Sequence, residues 1–192
     1  MISSINTRWS TGAFRLLVMC MAGFCVALNA SAQAVDNSTY NKVQAAYIYK
    51  IANFVSWPTG LDSEHFNICI LESNGNLASF IRDAIGNRTV NQLPVVVAQI
   101  SAEYLLSSTD LPPCHLVYLL QPLTAEIIHS VNHNSSNRPV LWVTAPEVDG
   151  RGTVLFELVR EGARMVIYVN REQLDSSELL VESALLSVAR PR

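Results

Sequence analysis

Cations are scarce in this chain: Lys and Arg number 13 against 16 Asp and Glu, a formal net charge of −3 over 192 residues. That balance offers little to phosphate backbones or anionic membrane surfaces, so nucleic acid is not expected as a partner. Long apolar runs are missing too. The longest, Leu16 to Leu28, falls short of the roughly 20 residues that cross a bilayer. The phosphate-cradling patterns Gly-x-x-x-x-Gly-Lys-Ser/Thr and Gly-x-Gly-x-x-Gly do not occur, nor do Gly-x-Ser-x-Gly and His-Glu-x-x-His. No acid, base and nucleophile can be assembled either, so the chain is expected to be neither an enzyme nor a cofactor carrier. Cysteine is sparse, with four residues in all.

The N-terminus has the build of a leader. Arg8 and Arg15 precede the Leu16–Leu28 run, and the small-x-small patterns Ala30-Ser31-Ala32 and Ala32-Gln33-Ala34 come after it. This is the pattern of a secretory signal peptide, expected over 1–32, with 33–192 left as a single periplasmic domain. Neither Cys20 nor Cys25 follows the small residue of a lipoprotein cleavage site, so no lipid anchor is expected. Loss of both leader arginines makes the mature chain more acidic still. Cys69 and Cys114 remain. In an oxidising compartment they are expected to form one intramolecular disulfide, the alternative being two free buried thiols.

Apolar residues from Val43 to Val55 recur at helical spacing, with Lys42, Gln44, Lys50, Asn53 and Ser56 as a narrow wet stripe. This predicts a buried helix from near 39 to near 57, closed at Trp57 by Pro58. Strands are predicted over 66–71, 93–100, 114–120 and 139–144, with helices after each of the first three over 77–85, 102–106 and 123–133. The runs 153–159 and 164–169, separated by Arg160-Glu161-Gly162-Ala163, read as an antiparallel hairpin, and a closing helix is predicted over 173–189. Such alternation predicts an α/β three-layer sandwich with a mostly parallel sheet. A disulfide needs Cα atoms about 4.4–6.8 Å apart, which puts the first and third of these strands side by side and suggests the order 2-1-3-4.

Candidate sites are few. Glu72, Ser73 and Asn74 follow the first strand and open the next helix, where α/β sheets form ligand crevices and helix N-termini welcome anions; an ordinary capped turn is the competing reading. Glu126, His129 and His133 have zinc-compatible helical spacing but no fourth ligand, so no metal is expected. His115 beside Cys114 points to the opposite strand face and reads as structural. Tyr118, Trp142 and Tyr168 read as core. Phe54 and Trp57, and Leu180 and Leu185 on the closing helix, are candidates for interface or core, the last helix being apolar on more than one side.

The run Val43-Gln44-Ala45-Ala46-Tyr47-Ile48-Tyr49-Lys50-Ile51-Ala52-Asn53-Phe54-Val55-Ser56-Trp57-Pro58 resembles the opening helix of the YfiR-like periplasmic proteins. Ile68-Cys69-Ile70-Leu71, Cys114-His115-Leu116-Val117-Tyr118, Val140-Leu141-Trp142-Val143-Thr144 and Ser183-Ala184-Leu185-Leu186-Ser187-Val188-Ala189 resemble that family's later segments, in order. Ala145 and Arg151-Gly152 depart from its pattern of Asp and Gly-Gly. The resemblance implies a dimeric periplasmic regulator that binds the periplasmic sensor domain of an inner-membrane diguanylate cyclase. Such a regulator lowers cyclic di-GMP signalling and biofilm formation, and Cys69–Cys114 would act as a redox-responsive lock. The alternative reading is a periplasmic small-ligand sensor using the crevice at Ser73 and Asn74.

Overall fold

A computed structural model describes residues 37–57, 63–73, 75–107, 114–121, 124–127, 129, 139–146, 148–150 and 154–192. The expected leader, Pro58, Asn74, His133, Arg151 and Gly152 lie outside them. The chain divides into a unit up to Tyr40 and one from Asn41 to Arg192. The first contributes only helical residues 37–40; the sheet and its covering helices belong to the second.

Helix α1 runs over 37–53, and its residues Ala45, Ile48, Ile51 and Ala52 recur at helical spacing and are buried. Two features differ from the sequence expectation. Gln44, assigned to the wet stripe, is buried because its Oε1 accepts a hydrogen bond from the Tyr118 hydroxyl at 2.6 Å. The helix also stops short of 57: Val55–Ser56 forms a short strand, β1, pairing antiparallel with β9 (Leu180–Val181), and the Glu182 N–H donates to Phe54 O at 2.9 Å. A long-range strand pairing takes the residues that local periodicity would have kept helical.

Among the described residues the main sheet has eight strands, and its centre is parallel. β4 (Leu93–Ile100), β2 (Phe66–Leu71), β5 (Leu116–Leu119) and β6 (Leu141–Thr144) lie side by side in the anticipated 2-1-3-4 order. β7 (Phe156–Glu161) continues it in parallel and folds back into β8 (Arg164–Val169) through Gly162, whose φ of 61° suits glycine. β10 (Arg190–Pro191) lies parallel to β8. β3 (Thr89–Val90), which the sequence reading left out, pairs with Leu93 and Pro94 through a two-residue turn at Asn91 and Gln92, both with positive φ. The full order is β10-β8-β7-β6-β5-β2-β4-β3.

Helices cover both faces, which explains the continuous apolar runs of the inner strands. Buried residues of α1 and of α2 (Leu77–Ile85) pack with Ile68, Ile70, Tyr118 and Val143 on one face; Leu105 of α3 (Ala102–Ser107) and Ile127 of helical segment α4 (125–127) pack with Cys69, Val117 and Trp142 on the other. The predicted closing helix is two short ones. α5 (Arg171–Ser176) starts at Asn170, whose Oδ1 accepts from the Glu172 and Gln173 N–H groups, and α6 (Ser183–Val188) comes after β9. Asp175, Ser176 and Ser177 are weak helix formers, and β9 takes the intervening residues into its pairing with β1.

Candidate functional site

Cys69 sits within β2 and Cys114 two residues before β5. These parallel neighbours bring the Cα atoms to 5.8 Å and a disulfide joins them. Both cysteines are buried among Leu71, Leu105, Val117 and Trp142. His115 lies next to this bridge and is buried. Its Nδ1 accepts from the Asn67 N–H at 2.9 Å and therefore carries no proton, while its own backbone N–H donates to Asn67 O. The imidazole stacks on Phe66 at 4.9 Å, and Trp57 meets Phe66 edge-on at 4.9 Å. Three aromatic rings thus close the N-terminal end of β2 and β5. The Trp57 indole N–H is buried with no acceptor among the described residues.

At the opposite end of β2 lies the expected crevice. Glu72 is buried, and its two carboxylate oxygens accept from the Leu77 and Ala78 N–H groups at 3.3 and 3.0 Å. The N-terminus of α2 therefore already holds an anion, supplied by the chain itself. Ser73 donates to Gln121 Oε1 at 2.7 Å, and Gln99 Nε2 donates to Glu72 O at 3.4 Å. Glu72, Ser73 and Gln99, with Ala98, Ile100, Ser101 and Tyr104, border a crevice of about 570 Å³. The third expected residue, Asn74, lies outside the described residues.

The interface candidates separate. Leu185 is buried and Leu180 is 70 % exposed, because the β1–β9 ladder turns Val181 inward and Leu180 outward. Phe54 and Trp57 are half-buried against the core. Tyr118 and Trp142 are core, but Tyr168 is half-exposed, and this corrects its expected place. Its ring lies under the Arg192 guanidinium at 4.6 Å and its hydroxyl donates to Glu161 at 2.7 Å. That bond, with help from Arg190, holds the Glu161 carboxyl below its ordinary pKa. Of the histidine pair, His129 is exposed; among the described residues no group of three or more His, Cys, Asp or Glu could hold a metal ion.

Two polar features escaped the sequence reading. Glu157, on β7, is 2 % exposed and its Oε2 accepts from Arg192 Nε at 2.9 Å. Arg82 Nε and Nη2, from α2, reach across to Val97 O on β4 at 3.2 and 3.0 Å. Neither pair has a local signal, since the partners are brought together only by sheet order.

No described helix is long and apolar enough to cross a membrane. No curated protein matches the chain. The match to a known family, in contrast, runs through almost all of the larger unit, from α1 to β10: over residues 41–190 the chain fits, and belongs to, the YfiR/HmsC-like family.

Proposed function

We propose that the chain is a non-catalytic regulator, exported through the leader of residues 1–32, that binds the periplasmic sensor domain of an inner-membrane diguanylate cyclase and restrains it. It acts as a homodimer and thereby lowers cyclic di-GMP and biofilm formation. The observation that carries this reading is the family match over 41–190. The YfiR/HmsC-like family is known as one of periplasmic, non-catalytic regulators of diguanylate cyclases.

The residues agree with such a role. The Glu72 carboxylate is engaged in capping α2, the His115 imidazole in holding Asn67 and the Glu157 carboxylate in pairing with Arg192, so these buried side chains serve structure. The Cys69–Cys114 bridge suits an oxidising compartment and, as a lock on β2 and β5, supplies a route by which reduction loosens the protein and releases the cyclase. Both cysteines are buried, so a reductant reaches them only after local opening.

The test is a deletion strain carrying an active cyclase. Cyclic di-GMP should rise on deletion and return with the wild-type chain. Unchanged levels would sink the reading. A small-ligand sensor remains the second reading because of the crevice beside Glu72 and Ser73; a thermal-shift screen of nucleotides, amino acids and aromatic metabolites without a hit would remove it.

A further inference from the structure

β4 is the last full-length strand on its side of the sheet. β3 covers only Leu93 and Pro94, leaving the rest of an eight-residue strand with a neighbour on one side alone among the described residues. Ladder alternation decides which groups face outward. Ile100 O accepts from the Glu72 N–H, so the even-numbered residues of β4 bond to β2 and the odd-numbered ones point to the open edge. Two outward groups are occupied: the Val95 N–H donates to Arg88 O at 3.1 Å, and Val97 O accepts from the Arg82 guanidinium. The Val97 N–H and both the N–H and C=O of Gln99 have no strand beside them among the described residues.

An exposed edge of this kind is a template for another strand, and proteins commonly blunt it with a charge or a proline. Here the charge is Arg82, whose guanidinium holds Val97 O and leaves the Val97 N–H and Gln99 unguarded. Gln99 also borders the crevice at the end of β2 and β4, with Glu72, Ser73, Ala98, Ile100, Ser101 and Tyr104. Apolar exposure concentrates at the same place. Of the five large hydrophobic residues exposed among the described residues, three fall between 96 and 106: Val96 at 41 %, Tyr104 at 44 % and Leu106 at 51 %.

We propose that the outer edge of β4 from Val97 to Gln99, with the adjoining crevice, is a docking surface for an extended segment of the partner protein, which adds a strand to the sheet. That the partner is the cyclase's periplasmic domain rests on the proposed regulatory function. An antiparallel segment places one residue opposite Gln99, exchanging two hydrogen bonds with it, and another opposite Val97, accepting from the Val97 N–H while Val97 O stays with the two Arg82 donors. The residue between them lies on the face of Ala98, Ile100 and Val96, so its side chain is apolar and enters the crevice beside Tyr104. Main-chain bonds supply affinity and this side chain supplies selectivity.

The experiment measures binding of the full mature chain to the purified periplasmic domain and to overlapping synthetic peptides that tile it. Gln99→Pro removes an N–H that points away from β2 and so spares the ladder. Val96→Glu, at an exposed position, places a charge on the docking face without touching the backbone and serves if the proline variant fails to fold. Asp175→Ala, exposed elsewhere, is the control. The expected result is that Gln99→Pro and Val96→Glu weaken binding of the domain and of one tiled peptide by about tenfold or more; the melting temperature is unchanged in Val96→Glu and falls in Gln99→Pro, which also loses the side-chain bond to Glu72 O. Asp175→Ala should bind as the wild type does, and hydrogen exchange at Val97 and Gln99 should slow in the complex. If the domain binds wild type and both edge variants equally, the docking surface is overturned while the regulatory function stands. If the domain does not bind the wild-type chain at all, both fall.

Discussion

Glu157 is a carboxylate with 2 % of its side chain exposed, and Arg192 makes that position tenable by lending a guanidinium that keeps 34 % of its own surface in water. Removing one partner of a buried pair strands the other, at about 3–5 kcal/mol where both are fully buried. Partial hydration of Arg192 reduces this, and Arg192→Ala is expected to cost about 2–3 kcal/mol in chemical denaturation. Adding Glu157→Gln should recover most of the loss. If the single variant were as stable as wild type, water would already be solvating Glu157. Gln44 makes the same point with neutral groups: in the linear pattern it reads as solvated, yet its side chain meets the Tyr118 hydroxyl across 74 residues. Periodicity reports which face a residue occupies, and a buried polar residue on an apolar face is defined by a partner distant in sequence.

At the scale of elements, the hairpin between β3 and β4 has the form that favours type I′ turns, with φ of 50° at Asn91 and 68° at Gln92. Asn tolerates such a conformation, whereas the Cβ of Gln is strained there. Gln92→Gly should therefore raise stability by about 0.5–1 kcal/mol, read as a higher denaturation midpoint at constant slope. A lower midpoint would mean that the glycine's unfolded-state entropy outweighs the relief of strain. This hairpin was not legible because Asn-Gln is a weak turn signal and β3 is only two residues long. The long elements were legible. Leu77, Ala78, Ile81 and Ile85 keep one face of α2 buried, and the strands over 66–71, 93–100 and 164–169 begin and end where their composition changes. The termini of α1 and of the closing helical region were not, since Val55–Ser56 and Leu180–Val181 leave their helices to pair with each other.

For the molecule as a whole, the Cys69–Cys114 bridge closes a loop with a sequence separation of 45, for which chain entropy gives about 4 kcal/mol as an upper figure. In a chain of this size about 1 kcal/mol moves the melting temperature by roughly 2–4 °C. Reduction, or Cys69→Ser with Cys114→Ser, should then lower it by roughly 10 °C. A thermal scan with and without reductant measures this, and a shift near zero would remove the disulfide as a lock on the fold. The sequence by itself determined the alternation of strands and helices, the helix-covered parallel sheet and, through the reach of one disulfide, the neighbouring of β2 and β5. These come from local periodicity and one covalent distance. Only the tertiary structure decided that Glu72 fills the end of α2, that Leu180 faces water while Leu185 does not, and that β4 presents a half-guarded edge beside Val96 and Tyr104. Each of those depends on which distant backbone or side chain completes a hydrogen bond, and that is settled by packing rather than by neighbours in sequence.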